Sequence, residues 1–333
     1  MSGRATLSIV IPTLSAGEPL RECLESVARQ SHQPVEIFVI DNSGTGTVRG
    51  LNPPQSVRVI ENSANLGFGA AANQGIRASS GEFVLVLNDD AAPHPDAARH
   101  LIEAISQRYE IGSCAPQIRL AGTGRLDSAG MLLSPDGVGK QRGHGADPES
   151  FGQPGETLFP SGCAALYRRA MLDEIGLFEE RYFLYCEDTD LGLRARWKAW
   201  ECRYVPDAVV EHRYSESAGR ASALKAYHVE RNRAFTIIRN FPAALLWRAP
   251  WHTLVRFHWH WRLMRDGRGA AASYDGAESL HRIVLRAWIG ALAQLPALWR
   301  ERRRIQAGAR LKPKQFERLL AGFRIGSRQV AEQ

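Results

Sequence analysis

The sequence predicts an α/β fold, a mostly parallel sheet flanked by helices, followed by a basic helical extension. Three observations predict it. Short apolar runs alternate with segments of helical period through residues 1–110. Polar clusters Asp41-Asn42, Asn65–Gly69 and Asn88–Asp90 each follow a β-rich run, and in parallel α/β sheets ligands bind at the carboxyl ends of strands. Charge is divided unevenly: residues 231–333 hold 20 of the 42 Lys+Arg but only 6 of the 35 Asp+Glu.

Leu7–Ile11 is a continuous apolar run closed by Pro12-Thr13, as expected of a strand buried on both faces. A helix follows, with Pro19 in its first turn and Leu20, Cys23, Leu24 and Val27 on one face. Val35–Ile40, Val57–Ile60 and Phe83–Leu87 read as three further strands, a small-residue helix over Ala70–Ala78 as the crossover between the last two, and Asp96–Gln107 as the next helix. Residues 113–160, rich in Gly, Ser, Asp and Pro, read as an irregular region beside the sheet with a weak strand signal at Gly130–Ser134. Beyond Ser161 helices are expected near Arg169–Ile175 and over Asp190–Ala199, the latter with Asp190 available as N-cap.

The 333 residues, 44% hydrophobic and 23% charged, are long enough to bury a sizeable core. Five scattered cysteines without a CxxC pair fit a reducing cytoplasm. The N-terminal residues run directly into the first strand, which predicts no signal peptide, and no apolar stretch reaches the length of a membrane span.

Two acidic groups carry the chemistry. Asn88-Asp89-Asp90 at a strand end suits a hard divalent ion that bridges phosphates, and equally a plain turn. Glu187, Asp188 and Asp190 crowd three carboxylates into four positions beside Phe183 and Tyr185, where an apolar setting can tune a general base toward neutral pH. His212, after the apolar run Val205–Val210, gains a role only if it completes a metal site with Asp90. Arg231 and Arg233 could grip diphosphate oxygens or form a solvated helix face.

Together Ser8–Thr13, Asp41-Asn42-Ser43, Asn65–Gly75, Leu87-Asn88-Asp89-Asp90, Ser161-Gly162-Cys163 and Phe183–Leu191 resemble glycosyltransferase family 2, and within it the bacterial rhamnosyltransferase-like branch that builds O-antigen, capsule or cell-wall linker glycans. The resemblance runs over residues 7–242 and implies a GT-A fold and a metal-assisted inverting transfer of a sugar, best matched by L-rhamnose from dTDP-rhamnose, to a glycan or polyprenyl-diphosphate-linked acceptor. UDP- and GDP-sugars are the alternative donors. It implies that Pro12, Thr13 and Asp41 hold the base and ribose, that Asn65, Gly67, Asn73, Asn88 and Asp89 line the nucleotide-sugar pocket, and that Asp90 and His212 hold Mg²⁺ or Mn²⁺. Asp188 is the implied catalytic base; Glu187 and Arg194 shape or brace the acceptor pocket. The first position of the family's Asp-x-Asp element is Asn88 here, so this element supplies the metal a single carboxylate.

Residues 1–240 are therefore expected to form the catalytic domain, with the nucleotide-sugar half over 1–110 and the acceptor half over 111–240; 241–333 form the tail. Gly67-x-Gly69-x-x-Ala72 mimics a dinucleotide fingerprint, but six residues separate it from its strand, too many for the tight turn such a site needs. Thr13–Glu18 lacks the basic phosphate loop of a nucleotidyltransferase, and no nucleic-acid recognition module is present, which argues against a nucleic-acid partner. Trp251, His252, His258, Trp259, His260 and Trp261 read as an interfacial face rather than a ligand set. The tail, with amphipathic segments at Phe241–Met264 and Leu280–Arg304, is expected either to dock on the anionic inner face of the cytoplasmic membrane or to pack on the catalytic domain as a cap.

Overall fold

The computed structural model describes residues 5–51, 53–213, 222–269, 274 and 278–333; Met1–Arg4, on which the absence of a signal peptide was expected, lie outside them. The chain runs β1 (Leu7–Thr13), α1 (Glu18–Ala28), β2 (Glu36–Asp41), β3 (Val57–Glu61), α2 (Phe68–Ala78), β4 (Phe83–Leu87), β5 (Ala91–Pro93), α3 (Ala97–Ser106) and β6 (Ile111–Leu120). There follow β7 (Arg125–Ser128), β8 (Met131–Leu133), β9 (Gly139–Gln141), β10 (Gly155–Thr157), β11 (Ala164–Arg168), α4 (Arg169–Ile175), α5 (Glu187–Trp197) and β12 (Glu201–His212). Helices α6 (Ala223–Asn240), α7 (Ala243–Arg265), α8 (Leu280–Ala293), α9 (Leu295–Ala307), α10 (Pro313–Gly322) and α11 (Ser327–Glu332) complete it.

The main sheet has the order β10-β12-β6-β11-β4-β1-β2-β3, with β5 on β12 and β7 on β6. β4, β1, β2 and β3 are mutually parallel, as are β6 and β12, while β11 runs antiparallel between β4 and β6. Alternation along β1 explains why it reads as uniformly apolar: Leu7, Ile9 and Ile11 face the core built with α1 and α3, and Val10 faces the core built with α2, α4 and α5.

The structure corrects the reading of residues 113–160. They hold most of β6, a ten-residue strand inside the sheet, as well as β7 to β10. Pro116 obscured it, because a proline removes a ladder donor and argues against a central strand. It is accommodated where the β12 register jumps from Val205 to Val209, a bulge opposite Pro116 and Gln117. A second correction concerns α5, which begins at Glu187 with Cys186 as N-cap, so Asp190 lies inside the helix and caps nothing.

The helices after Asn240 pack on the body. Phe241, Ala249, Phe316 and Leu320 join Phe159, Leu193 and Trp197 in one apolar cluster. The Trp197 and Phe316 rings stack at 3.9 Å, 5° from parallel, an arrangement worth about 0.5–1.5 kcal/mol beyond the area it buries. The opposite face of α7 stays exposed: Trp247 (83% exposed), Trp251, Leu254 and Trp261 lie on one stripe by their spacing. Among the described residues, no helix is long and apolar enough to cross a membrane.

Candidate active site

Strand pairing brings distant motifs to one edge of the sheet. Ala164 of β11 pairs with Leu87 of β4, so the preceding Cys163 carbonyl accepts from the Asn88 amide at 2.8 Å. His212, the last residue of β12, pairs with Ala91 of β5, next to Asp90. β7, pairing with β6, carries Asp127 to the same place. The result is a cavity of about 460 Å³ lined by Pro12, Thr13, Asn65, Gly67, Asn88, Asp89, Asp90, Glu187, Asp188 and His212, among others.

On one side lie Asp90 and His212. His212 Nδ1 is 2.8 Å from Asp127 Oδ2, which directs Nε2 toward Asp90 Oδ1 at 3.3 Å. That approach lacks hydrogen-bond geometry, and the buried Asp90 Oδ1 has no hydrogen-bond partner. Desolvation alone would lower the His212 pKa; Cys163, Asp127 and Asp90 overcome it and raise the group well above its ordinary range. Asp127 is also held by His144, whose Nδ1 is 3.1 Å from its second oxygen. An orphaned carboxylate oxygen, an imidazole nitrogen facing it and an outer carboxylate orienting the ring fit a divalent cation. Among the described residues, no third His, Cys, Asp or Glu gathers there, so diphosphate oxygens and water would fill the remaining positions. Asp89 stands apart: burial, opposed by the Thr13 hydroxyl bond and aided by the charge of Asp90, raises its pKa to about 6, and Thr13 Oγ1 donates to it at 2.5 Å.

On the other side lie Glu187 and Asp188, at the first turn of α5, where the helix dipole favours negative charge. Asp188 accepts from the Gly162 amide at 3.1 Å and from the Thr189 amide at 2.6 Å. Glu187 Oε2 is buried without a partner. Desolvation raises both pKa values, and the charge of Asp188 helps push Glu187 to about 8. The proton of the pair therefore belongs on Glu187, and Asp188, with its hydrogen bonds, is the ionised member.

The loop before them is strained. Phe183, Tyr185 and Cys186 have φ of 64°, 68° and 68°, where side chains are disfavoured. Asn232 on α6 holds it: its Nδ2 is 2.8 Å from the carbonyl oxygens of Tyr182, Leu184 and Tyr185. The Phe68 amide donates to the Phe183 carbonyl at 2.7 Å, and Gly67, at φ 88°, packs so closely on Phe183 that a Cβ would collide with its backbone.

Other expected site residues stand behind the cavity rather than on it. Asp41 accepts from the Ser43 and Val48 amides and shapes the loop after β2. Asn73 bonds the Phe178 backbone and Glu180. Arg194 braces the Ile175–Leu177 carbonyls and pairs with Asp190 at 2.8 Å. Arg231 donates to the Arg181 and Tyr182 carbonyls, and Arg233 is buried against Glu230 and the Asp136 carbonyl. Neither arginine lines the cavity, so the diphosphate-gripping alternative loses its geometric basis. Asp190 accepts from Arg194, Arg239 and Asn240, and its pKa, despite burial, lies well below the ordinary carboxylate range.

The profile of the family described as glycosyl transferase family 2 matches residues 8–176. An N-acetylglucosaminyl-diphospho-decaprenol L-rhamnosyltransferase of Mycobacterium tuberculosis is 32% identical over 249 residues, covering 67% of this chain and 81% of that protein. The chain belongs to glycosyltransferase family 2. Solved structures agree on the GT-A fold: GalNAc-T7 with UDP, GalNAc and Mn²⁺ superposes with a TM-score of 0.58 at 14% identity, covering 87% of this chain. This chain spans 55% of GalNAc-T7, so the likeness concerns the catalytic fold alone. Staphylococcus aureus TarS 1–349 superposes with a TM-score of 0.53 at 17% identity, covering 91% of this chain and 83% of that one. As a family 2 glycosyltransferase, the chain has its cavity at the strand ends where its fold class binds ligands. Sequence reasoning missed Asn232 and Asp127; the Asn232 signal was in view, between two arginines that drew the attention.

Proposed function

We propose that this glycosyltransferase is an inverting rhamnosyltransferase that moves L-rhamnose from dTDP-rhamnose to a glycan or polyprenyl-diphosphate-linked acceptor in bacterial surface polysaccharide synthesis. The observation that carries it is the pairing of a protonated Glu187 with an ionised Asp188 across the cavity from Asp90 and His212. The name of the mycobacterial relative supports the sugar and the acceptor class. Pro12, Thr13, Asn65, Gly67, Asn88 and Asp89 line the donor side. Asp41 and Asn73 support that side from behind.

Asp188 takes the proton from the acceptor hydroxyl as its oxygen forms the new bond to the anomeric carbon. The bond from that carbon to the diphosphate breaks, the electron pair leaves with dTDP, and one displacement inverts the centre. Mg²⁺ or Mn²⁺ held by Asp90 and His212 would offset charge on the leaving diphosphate. The exposed Trp stripe of α7 and the basic tail place the enzyme at the anionic inner membrane surface, where a lipid-linked acceptor lies.

The test is turnover with dTDP-rhamnose, UDP-sugars and GDP-sugars, each with either metal. Metal-dependent transfer from dTDP-rhamnose with inversion supports the reading; transfer only from a UDP- or GDP-sugar overturns the donor assignment. For the membrane, co-flotation with anionic liposomes at low salt is expected, and its absence would remove that part.

A further inference from the structure

Lys140 sits on β9, which crosses the cavity wall where Gly139 packs against Thr189, the residue after Asp188. The side chain is half-buried, yet among the described residues no carboxylate reaches its ammonium. Its charged neighbours are cations: desolvation first, then Lys225 and Arg256, lower its pKa to about 8. Arg256 is already engaged with Asp136 and Glu230. Lys225, in the first turn of α6, lines the same cavity and lies 5.7 Å from the centroid of the Tyr185 ring. A buried cation without a counter-ion is costly, and two facing one cavity imply an anion that arrives with a ligand.

We propose that Lys140 and Lys225 form a subsite for the diphosphate of a lipid-diphosphate-linked acceptor, separate from the donor diphosphate site at Asp90 and His212. This rests on the acceptor class proposed above. The position suits it: Lys140 flanks the helix start that carries Asp188, so an acceptor whose hydroxyl meets Asp188 would extend its own anomeric diphosphate along this wall. The same chemistry would hold the donor's diphosphate, and the experiment separates the two.

Binding of geranyl diphosphate to the full chain, measured by calorimetry with saturating dTDP and Mg²⁺ present, is the test. Binding alongside dTDP is expected, weakened about tenfold or more by Lys140→Met and by Lys225→Met, with dTDP affinity changed less than about twofold. Competition between the two ligands, no binding of geranyl diphosphate, or binding indifferent to both substitutions would overturn the subsite. Each variant is first checked by its melting temperature. Turnover keeps the two proposals apart. If the variants transfer rhamnose to a diphosphate-linked acceptor and to a neutral octyl glycoside with unchanged KM, the subsite fails while the rhamnosyl reading stands. If geranyl diphosphate binds in a Lys140-dependent way but no rhamnose is transferred, the subsite stands and that reading fails.

Discussion

The Gly162 amide donates to Oδ2 of Asp188 over 3.1 Å, joining the Ser161-Gly162-Cys163 turn to the head of α5. This bond decides which of two adjacent buried carboxylates is ionised. Asp188 has amide donors, whereas Glu187 Oε2 has no partner and keeps the proton.

Two acids two positions apart should therefore respond oppositely to the same change. Asp188→Asn removes charge from a crowded carboxylate pair, so urea denaturation should show unchanged or increased stability. Asp190→Asn leaves Arg194 and Arg239 without their buried counter-charge and should cost about 3–5 kcal/mol. Equal losses would mean that both are structural.

The pH response follows from the raised pair. The base is active only when ionised, so kcat/KM should fall on acidification through a pKa above the ordinary 3.8 of Asp188. Glu187 has the other signature. Between its ordinary 4.5 and about 8, the folded state keeps a proton that the unfolded chain has released, so its contribution to stability declines as pH rises across that window. Glu187→Gln should flatten the dependence of melting temperature on pH between 5 and 8; an unchanged slope would contradict the assignment.

Asn232→Ala removes the donor that holds three carbonyls of the strained loop. Stability should fall by about 1–3 kcal/mol, and kcat by roughly tenfold to a hundredfold as Asp188 loses its position. A variant that loses stability but keeps full kcat would show that the loop does not set catalytic geometry.

Asp127→Asn should weaken metal affinity roughly 10–100-fold, since its carboxylate orients His212. The metal concentration needed for dTDP to raise the melting temperature reports it; no change would separate His212 from the metal.

The half of the fold carrying β1 to β4 was legible because each strand is buried on both faces and reads as an apolar run. β6 was not, because its buried positions are filled by Gly, Ser, Ala and Pro, and a proline is tolerated only by a bulge in a strand some ninety residues later. Motifs at strand ends marked Asp90, Asp188 and His212. Asp127 lies on a short strand without local pattern and acquires meaning only through its bond to His212. Arg194, Arg231 and Arg233 were recognisable as important but not as braces, because spacing does not reveal whether a guanidinium points into a cleft or at backbone carbonyls.

The most direct test of the central claim is single-turnover rhamnose transfer by Asp188→Asn with saturating dTDP-rhamnose and metal. The account predicts a rate loss of about a thousandfold or more with dTDP affinity and melting temperature intact. Near-normal turnover would contradict the assignment of Asp188 as the base.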